Sequence, residues 1–432
     1  MNKPLLIENA RIIDPASDRD VTGVLLVENG RIADVAEGQA PGAPADADRI
    51  DARGLIVCPG LIDMRVFTGE PGHEYRETLE SAGHAAAAGG VTSILTMPDT
   101  APAIDDGALV DYVLRRAGAT ACVRVLPSAA ITKGLEGKDL TEFGLLKEAG
   151  AVAFTEGRKS LQNTAVMRAA MTYATNFDAP IIHQPLDAAL AGEGVMNAGP
   201  LATFRGLKGI PTQAETIPLD RDLQLALMTG ARYHAAQVST ARSAELLTHY
   251  KKHSPRISAG ISVNHLCLNE NDIGPYRTFF KLSPPLRHED DRLAMVEALK
   301  AGTIDVICSG HDPQDTEVKR QPFADAAEGA IGLETLLAGA LRLYHSGDVD
   351  LKTLLRAMTI RPAQILGLKT GTLAKGAPAD VCLFDPDYPW IVEEATIRSK
   401  SSNTTFEKAR MMGKVMTTIV GGRIVHREDT AQ

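Results

Sequence analysis

The stretch that decides the fold runs from Pro59 to Gly72 and reads Pro-Gly-Leu-Ile-Asp-Met-Arg-Val-Phe-Thr-Gly-Glu-Pro-Gly. The apolar run Leu55–Met64 predicts a buried strand that ends where Arg65 begins. Side chains two positions apart on a strand point the same way, so Arg65 and Phe67 are expected to share one face. In barrels of alternating strands and helices the reactive groups lie at the strand ends, so function is sought at this face first.

Strands and helices alternate outward from this stretch, from about residue 57 to residue 370. The strand candidates are apolar runs, namely Leu55–Met64, Thr92–Met97, Cys122–Leu126, Ala151–Thr155, Ile181–His183, Arg232–Val238, Ile257–Val263 and Ile304–Ser309. Amphipathic stretches of helical period lie between them, such as Glu77–Ala88, Ala108–Arg116, Thr164–Ala174, Leu219–Met228 and Ala241–His249. Eight strands with helices between them predict an α/β protein with a (β/α)₈ TIM barrel, in which the crossovers require parallel pairing.

Both ends of the chain are rich in short strand patterns. Residues 1–56 contain several β-branched runs with Asn29-Gly30 as a hairpin signal, and residues 371–432 contain a similar set with a Gly421-Gly422 turn. Two such ends around an alternating middle suggest one small β domain. We therefore divide the chain into an N-terminal part of that domain at 1–56, the barrel at 57–370, and a C-terminal part and tail at 371–432.

Composition and charge restrict the class of protein. The chain has 432 residues, of which 44% are hydrophobic and 23% charged, values typical of a soluble globular protein with a large core. A net charge of -9 argues against nucleic acid and acidic membrane surfaces as partners. Five scattered cysteines without a CxxC spacing, and a first segment without signal-peptide character, predict a cytoplasmic protein with reduced thiols.

The stretch from Pro59 to Gly72 resembles the first barrel strand of the dihydroorotases, a branch of the cyclic amidohydrolases. In that family the corresponding motif is Pro-Gly-Leu-x-Asp-x-His-x-His-x-Arg-Glu-Pro-Gly, and its two histidines hold a catalytic metal. The resemblance extends to the Pro-Pro-Leu-Arg turn at 284–287 and to Ser-Lys-Ser-Ser-Asn-Thr-Thr-Phe at 399–406. It covers essentially the whole chain, and it implies an amidohydrolase-type barrel with a β domain built from both chain ends.

The resemblance also locates the family's metal ligands, and this chain departs from the pattern at these positions. The degenerate metal positions are Arg65, Phe67, Glu156, Gln184, Gln237 and Gly310. Arg65 stays protonated and Phe67 has no donor atom, so neither binds a cation. At Gly310, relatives carry an aspartate that is both a ligand and the general base. The family's zinc site is therefore predicted to be lost, which leaves the chain without a cofactor.

Acids and histidines near these positions keep an alternative open. Glu156 is interpreted either as a ligand or as a solvated loop acid. His183 lies one residue from Gln184, and the alternation of side chains predicts that it points toward the helices unless the strand slips by one residue. A rebuilt metal site would have to use the remaining candidate ligands, Glu156, His183, His311 and Asp312, with Asp99 beside them.

The family's substrate contacts are altered in parallel. The resemblance places them at Gly69, Asp99 and Ser283, where relatives carry Arg, Asn and Asn. A carboxylate at Asp99 would repel an anionic dihydroorotate or carbamoyl-aspartate.

These observations predict a non-catalytic dihydroorotase-like protein of pyrimidine biosynthesis. Such chains assemble with aspartate carbamoyltransferase, so the resemblance implies that enzyme as a partner within a homo- or hetero-oligomer. One alternative is a divergent, active cyclic amidohydrolase with a rebuilt metal site. Another is a barrel that binds a small metabolite without turnover, with Arg65 as the anion anchor. An internal ion pair of Arg65 with Glu156 or Asp99 is the simpler role that we expect for this arginine.

Overall fold

The chain begins with five strands of one sheet in the computed structural model, which describes residues 3–38 and 44–428. These strands are β1 (Leu5–Asp14), β2 (Arg19–Glu28), β3 (Arg31–Glu37), β4 (Asp48–Asp51) and β5 (Ile56–Pro59). The first three pair antiparallel, and the Asn29-Gly30 turn joins β2 to β3. Both turn residues have positive φ, 50° and 75°, which is the conformation that this dipeptide favours in two-residue hairpins.

Eight parallel strands form the barrel in the part of the chain that the structure describes. They are β6 (Leu61–Val66), β7 (Val91–Thr96), β8 (Arg124–Ala130), β9 (Ala153–Thr155), β10 (Pro180–His183), β13 (Arg232–Ala235), β14 (Ile257–Ser262) and β15 (Val306–Cys308). A separate short pair, β11 (Met196–Asn197) and β12 (Gly209–Ile210), follows β10. The barrel strands are neighbours in sequence order, and a bridge between Val66 and His311 brings the last strand back to the first. The predicted (β/α)₈ barrel is confirmed.

Helices cover the outside of the barrel and alternate with its strands. They are α1 (Leu79–Ala88), α2 (Gly107–Thr120), α3 (Phe143–Ala149), α4 (Thr164–Thr175), α5 (Ala188–Ala191), α6 (Pro200–Phe204), α7 (Gln213–Thr229), α8 (Ala241–Lys251), α9 (Val263–Cys267), α10 (Glu289–Lys300), α11 (Thr316–Lys319), α12 (Leu336–His345), α13 (Leu351–Met358) and α14 (Ile360–Leu366). A capping box of Thr78 and Ser81 begins α1. Across residues 3–38 and 44–428, no helix has both the length and the apolar character needed to cross a bilayer.

The prediction of one strand at Leu55–Met64 is wrong, because this apolar run is divided between two sheets. β5 pairs with β1 in the first sheet, whereas β6 pairs with β7 in the barrel. The division falls at Gly60, where a Cβ atom would lie only 2.2 Å from the Thr92 side chain. An uninterrupted apolar pattern carries no signal for this change of sheet, which depends on a close approach that only glycine permits.

The C-terminal residues return to the first sheet as β16 (Val381–Ile391), β17 (Arg410–Val420) and β18 (Arg423–Arg427). β16 pairs with β5, so both chain ends build one sheet, as the resemblance implied. Asp380 joins this sheet to the barrel. Its buried carboxylate accepts hydrogen bonds from Arg124 Nε at 2.8 Å and from the backbone N–H of Gly421 at 2.8 Å.

Asp380→Asn is expected to lower the free energy of unfolding by about 2 kcal/mol, because it removes the charge from a buried, hydrogen-bonded carboxylate. The matched control is Asp111→Asn, which breaks an exposed ion pair with Arg115 and should cost less than about 0.5 kcal/mol. Urea unfolding of both variants measures the difference. Equal losses would contradict the role assigned to Asp380.

Candidate functional site at the barrel mouth

The carboxyl ends of the barrel strands surround a cavity of about 120 Å³. Five positions singled out from the sequence line it, namely Arg65, Gln237, Ser283, Gly310 and Asp312. The remaining positions lie outside this lining, namely Phe67, Gly69, Asp99, Glu156, His183, Gln184 and His311. Arg158 and His265 also line the cavity, although the sequence analysis assigned neither to the site. The barrel therefore brings part of the expected set together and adds two groups of its own.

A chain of ion pairs crosses the mouth and links loops that are distant in sequence. Arg158 Nε donates to Asp99 Oδ2 at 2.6 Å, and Arg158 Nη1 lies 3.5 Å from Asp312 Oδ1. Arg76 Nη2 donates to the same oxygen of Asp312 at 2.6 Å. The carboxylates of Asp99 and Asp312 are largely buried, so their attraction to the guanidinium groups is screened less than it would be in water. Here arginines hold the acids at the mouth.

The aromatic ring of Phe67 packs against two of these arginines. The guanidinium carbon of Arg76 lies 4.2 Å from the centre of the Phe67 ring, and that of Arg158 lies 4.9 Å from it. Each arginine therefore makes a cation–π contact, an interaction worth about 0.5–2 kcal/mol depending on solvation. The ring is fully buried at a position where the resemblance implies a metal-binding histidine. It has become a packing surface for two cations.

Arg65 is buried at the mouth without an ion pair. Its side chain is only 8% exposed, yet within the described part of the chain its guanidinium makes neither a hydrogen bond nor a salt bridge. Burial lowers its pKa from the ordinary value, while Asp99 and Asp312 act in the opposite direction. The expected internal pair with Glu156 or Asp99 is wrong, because Arg158 takes Asp99 and Thr132 takes Glu156.

Glu156 is neither a solvated loop acid nor free to bind a metal. Its two carboxylate oxygens accept hydrogen bonds from Thr132, one from the backbone N–H at 2.7 Å and one from Oγ1 at 2.9 Å. Burial raises its pKa, which the hydrogen bonds from Thr132 partly offset. The interpretation of Glu156 as solvated is therefore wrong, because the loop at Thr132 covers the carboxylate and satisfies it.

His183 points toward the helices, as the alternation of side chains predicts. Its Nδ1 lies 2.7 Å from Asp222 Oδ2 on α7, and its Nε2 accepts from the backbone N–H of Leu161 at 2.8 Å. Ser160 Oγ lies 3.2 Å from Nε2, so serine, histidine and aspartate stand in the order of a nucleophilic triad. The Nε2 lone pair is already directed at Leu161 N–H, however, so His183 positions this loop and is not free to act as a base for Ser160.

His311 is also engaged away from the cavity. Its Nε2 lies 3.3 Å from Glu77 Oε2, and its Nδ1 accepts from the backbone N–H of Gly332 at 3.2 Å. Glu77 in turn accepts hydrogen bonds from the Ser399 hydroxyl and the Lys400 backbone. His311 therefore helps to anchor the long C-terminal tail to the barrel.

Two expected site positions are glycines with close neighbours, which are backbone atoms at Gly69 and side chains at Gly310. Gly69 and Gly310 have φ values of 73° and 63°, in the left-handed region. A Cβ atom at Gly69 would lie 2.1 Å from the carbonyl oxygen of Glu77, and one at Gly310 would lie 2.7 Å from Gln237 Nε2. The resemblance implies an arginine and an aspartate at these two positions, which these loops cannot accept without moving.

The zinc that the resemblance implies does not fit the residues at the mouth. Zinc requires imidazole, thiolate or carboxylate ligands in a fixed arrangement. The four remaining candidate ligands are bound to different partners on different elements, namely Glu156, His183, His311 and Asp312. Among residues 3–38 and 44–428, no group of three or more His, Cys, Asp or Glu side chains is placed to hold a metal ion.

His265 is the remaining polar group that the sequence analysis did not place in the cavity. Its Nε2 lies 3.0 Å from the carbonyl oxygen of Pro284, so Nε2 carries the proton and Nδ1 presents a lone pair. In the described residues Nδ1 has no hydrogen-bond partner. Burial lowers the pKa of His265 to about 4, so the ring is neutral near pH 7. The sequence signal for this residue is Asn264-His265-Leu266, which resembles a His-His-Leu motif of dihydroorotases.

Comparisons with known proteins agree with the geometry of the barrel. A family model described as "Dihydro-orotase-like" matches residues 54–243, and one described as "Amidohydrolase family" matches residues 295–426. The chain is 41% identical to a dihydroorotase from Anaeromyxobacter dehalogenans, with 100% of both chains covered. It is 42% identical to one from Syntrophus aciditrophicus and 43% identical to one from Geotalea daltonii, covering 98% of this chain and 100% of each relative.

Solved structures share the same architecture at lower identity. An L-hydantoinase (dihydropyrimidinase) from Arthrobacter aurescens superposes with a TM-score of 0.89 at 23% identity, covering 100% of this chain and 98% of that one. A D-hydantoinase (dihydropyrimidinase) from Thermus sp. gives a TM-score of 0.82 at 22% identity, with coverage of 98% and 95%. At this level of identity the likeness concerns the fold alone.

The neutral, buried His265 predicts a loss of stability in mild acid. Its pKa of about 4 in the folded protein lies below the unfolded value of about 6.5, so the unfolded chain binds the extra proton first as the pH falls. The stabilisation is complete above pH ~6.5 and is lost toward pH ~4, by about 1.4 kcal/mol per pH unit at most.

His265→Gln removes this titration, so its free energy of unfolding should fall less steeply than that of the wild type between these pH values. His253→Gln, at an exposed position, serves as the control and should follow the wild type. Chemical unfolding at a series of pH values measures the slopes. Parallel curves for His265→Gln and the wild type would contradict the assignment.

Proposed function

Because this chain belongs to the dihydroorotase family, as 41–43% identity over the full length of its relatives shows, we propose that it is a non-catalytic member of that family. The observation that carries the proposal is the set of residues at the family's metal positions. Arg65, Phe67, Gln184, Gln237 and Gly310 provide neither the ligands nor the general base of a hydrolytic metal site.

The chemistry of cyclic amide hydrolysis explains why these positions matter. Water attacks an unstrained amide near neutral pH only when it is activated, and a bound metal does this by lowering the pKa of the water. Gly310 has no side chain to accept the proton. Asp312, two residues further, is held in ion pairs with Arg76 and Arg158.

The names of the relatives favour a second candidate, an active dihydroorotase. In this case Glu156, His183, His311 and Asp312 would have to leave their present partners and converge on one metal. Each move breaks a buried hydrogen bond or ion pair, for example that of Glu156 with Thr132 and that of His183 with Asp222. We favour the non-catalytic function because those rearrangements leave several buried polar groups unsatisfied.

We further propose that the barrel acts as a structural partner of aspartate carbamoyltransferase. The support is the resemblance to non-catalytic dihydroorotase-like chains, together with the retention of the whole barrel and its β sheet while the metal positions have changed. A surface for such a partner is suggested by Phe204, which is 89% exposed, and by the nearby Tyr276, whose hydroxyl donates to the carbonyl of Arg205. Exposed aromatic side chains are enriched at protein interfaces.

One experiment tests both parts of the proposal with the full-length chain. The purified protein is incubated with zinc and assayed for dihydroorotase turnover, alone and after mixing with the aspartate carbamoyltransferase of the same organism. We expect turnover at least about a thousandfold below that of the Anaeromyxobacter dehalogenans dihydroorotase, and a mixed complex in size-exclusion chromatography with light scattering. Turnover near that of the relative would refute the non-catalytic function, and separate elution would refute the partnership.

Gly310→Asp replaces the side chain that the resemblance assigns to the general base. We expect it to lower the melting temperature and to leave turnover absent, because the backbone has a φ of 63° and the new Cβ would lie 2.7 Å from Gln237 Nε2. The strain of the left-handed conformation alone costs about 1–2 kcal/mol.

Gly302→Asp is the matched control, since Gly302 has a φ of 74° but no atom within 4 Å of the added Cβ. It should lose less stability than Gly310→Asp. Zinc-dependent turnover in Gly310→Asp would instead indicate that a single substitution separates this barrel from an active enzyme.

A further inference from the structure

We propose that the cavity at the barrel mouth binds a small carboxylate whose neighbouring carbon carries a hydroxyl or amine, with the Arg65 guanidinium as the anion receptor. This site is independent of the association with aspartate carbamoyltransferase. It uses a fixed cation of the chain at a position where the family resemblance implies a metal ligand.

Arg65 is a buried cation without a partner in the described residues. A charge removed from water is normally paired, because an isolated buried ion is costly. Arg65 is 8% exposed, and its side chain has no hydrogen-bond or salt-bridge partner in residues 3–38 and 44–428. It lines the cavity directly. The Arg65 guanidinium thus borders a cavity without an anionic partner among the described residues.

The nearby acids are held by other arginines. Asp99 Oδ2 and Asp312 Oδ1 are engaged by Arg158 and Arg76 at 2.6 Å each, and in the described residues neither carboxylate forms an ion pair with Arg65. A deeper acid, Asp63, accepts hydrogen bonds from the backbone N–H groups of Arg65 and Ser309. The remaining lining acid is Glu328, which is attracted by Lys281 and Lys319. Arg65 is therefore the cation left unmatched.

The size of the cavity limits the ligand. An apolar cavity of about 150 Å³ holds one benzene molecule, so a cavity of about 120 Å³ accommodates roughly four to six non-hydrogen atoms. A carboxylate matches the planar fork of a guanidinium through two parallel hydrogen bonds. Carboxylates of two or three carbons fit this volume.

His265 also lines the cavity. Its buried Nδ1 has no hydrogen-bond partner in the described part of the chain. A lone pair requires a donor, which a hydroxyl or amine on the adjacent carbon of the ligand supplies. Glycolate and lactate, with five and six non-hydrogen atoms, have both features, whereas acetate has only the carboxylate.

The test is thermal unfolding and calorimetric titration of the full chain in Tris chloride with glycolate, and with acetate in parallel. A ligand that binds only the folded protein raises the melting temperature in a saturable manner. We expect this for glycolate with a dissociation constant on the order of 1 mM or lower, and weaker binding of acetate by at least about threefold. Equal binding of acetate would refute the role of His265. Glycolate that causes neither a shift nor a heat signal would refute the site.

Arg65→Met is expected to abolish the glycolate response and to melt at or above the wild-type temperature without ligand, because it removes an unpaired buried cation. Arg65→Lys keeps the positive charge but loses the planar guanidinium that makes two parallel hydrogen bonds. This variant should fold, and it should bind glycolate more weakly than the wild type does. Arg115→Met, at an exposed arginine, is the control and should respond like the wild type. A glycolate response retained in Arg65→Met, or unchanged in Arg65→Lys, would overturn the assignment.

Discussion

The ion-pair chain from Asp99 through Arg158 and Asp312 to Arg76 is the interaction on which the barrel mouth depends. It connects the loops after β6, β7, β9 and β15, with the Phe67 ring beneath two of its members. Buried acids without a counter-charge would destabilise the mouth, because removal of one partner of a buried pair leaves the other desolvated and unpaired. The arginines therefore provide the counter-charge for the acids at the mouth.

This arrangement explains how a barrel can keep its fold while its metal positions change. The strands, the helices and the sheet at the chain ends rest on apolar packing, close approaches of glycine and links such as Asp380 with Arg124. The Asp380–Arg124 link and the close approach at Gly60 do not involve the residues at the family's metal positions. Different residues thus determine the fold and the chemistry. The residues that determine the chemistry can change while those that determine the fold are retained. The consequence at the mouth is a site with fixed cations and one guanidinium left unpaired.

The fold could be predicted largely from the sequence, whereas the pairing of charges at the mouth could not. Apolar runs and helical patterns identified eight barrel strands, and side-chain alternation correctly directed His183 away from the mouth. The change of sheet at Gly60 was missed because the apolar run continues through it. The partners of Asp99 and Glu156 were missed for another reason. These partners come from loops that are distant in sequence. The spacing of residues along the chain does not show which side chain reaches a given carboxylate.

The central claim is that arginine–carboxylate ion pairs, and not a divalent metal ion, occupy this barrel mouth. Its most direct test is the zinc content of the purified full-length protein after incubation with excess zinc and removal of unbound metal, measured by inductively coupled plasma mass spectrometry. The account predicts no stoichiometric zinc. One or more equivalents per chain, lost on substitution of Glu156, His183, His311 or Asp312, would contradict it.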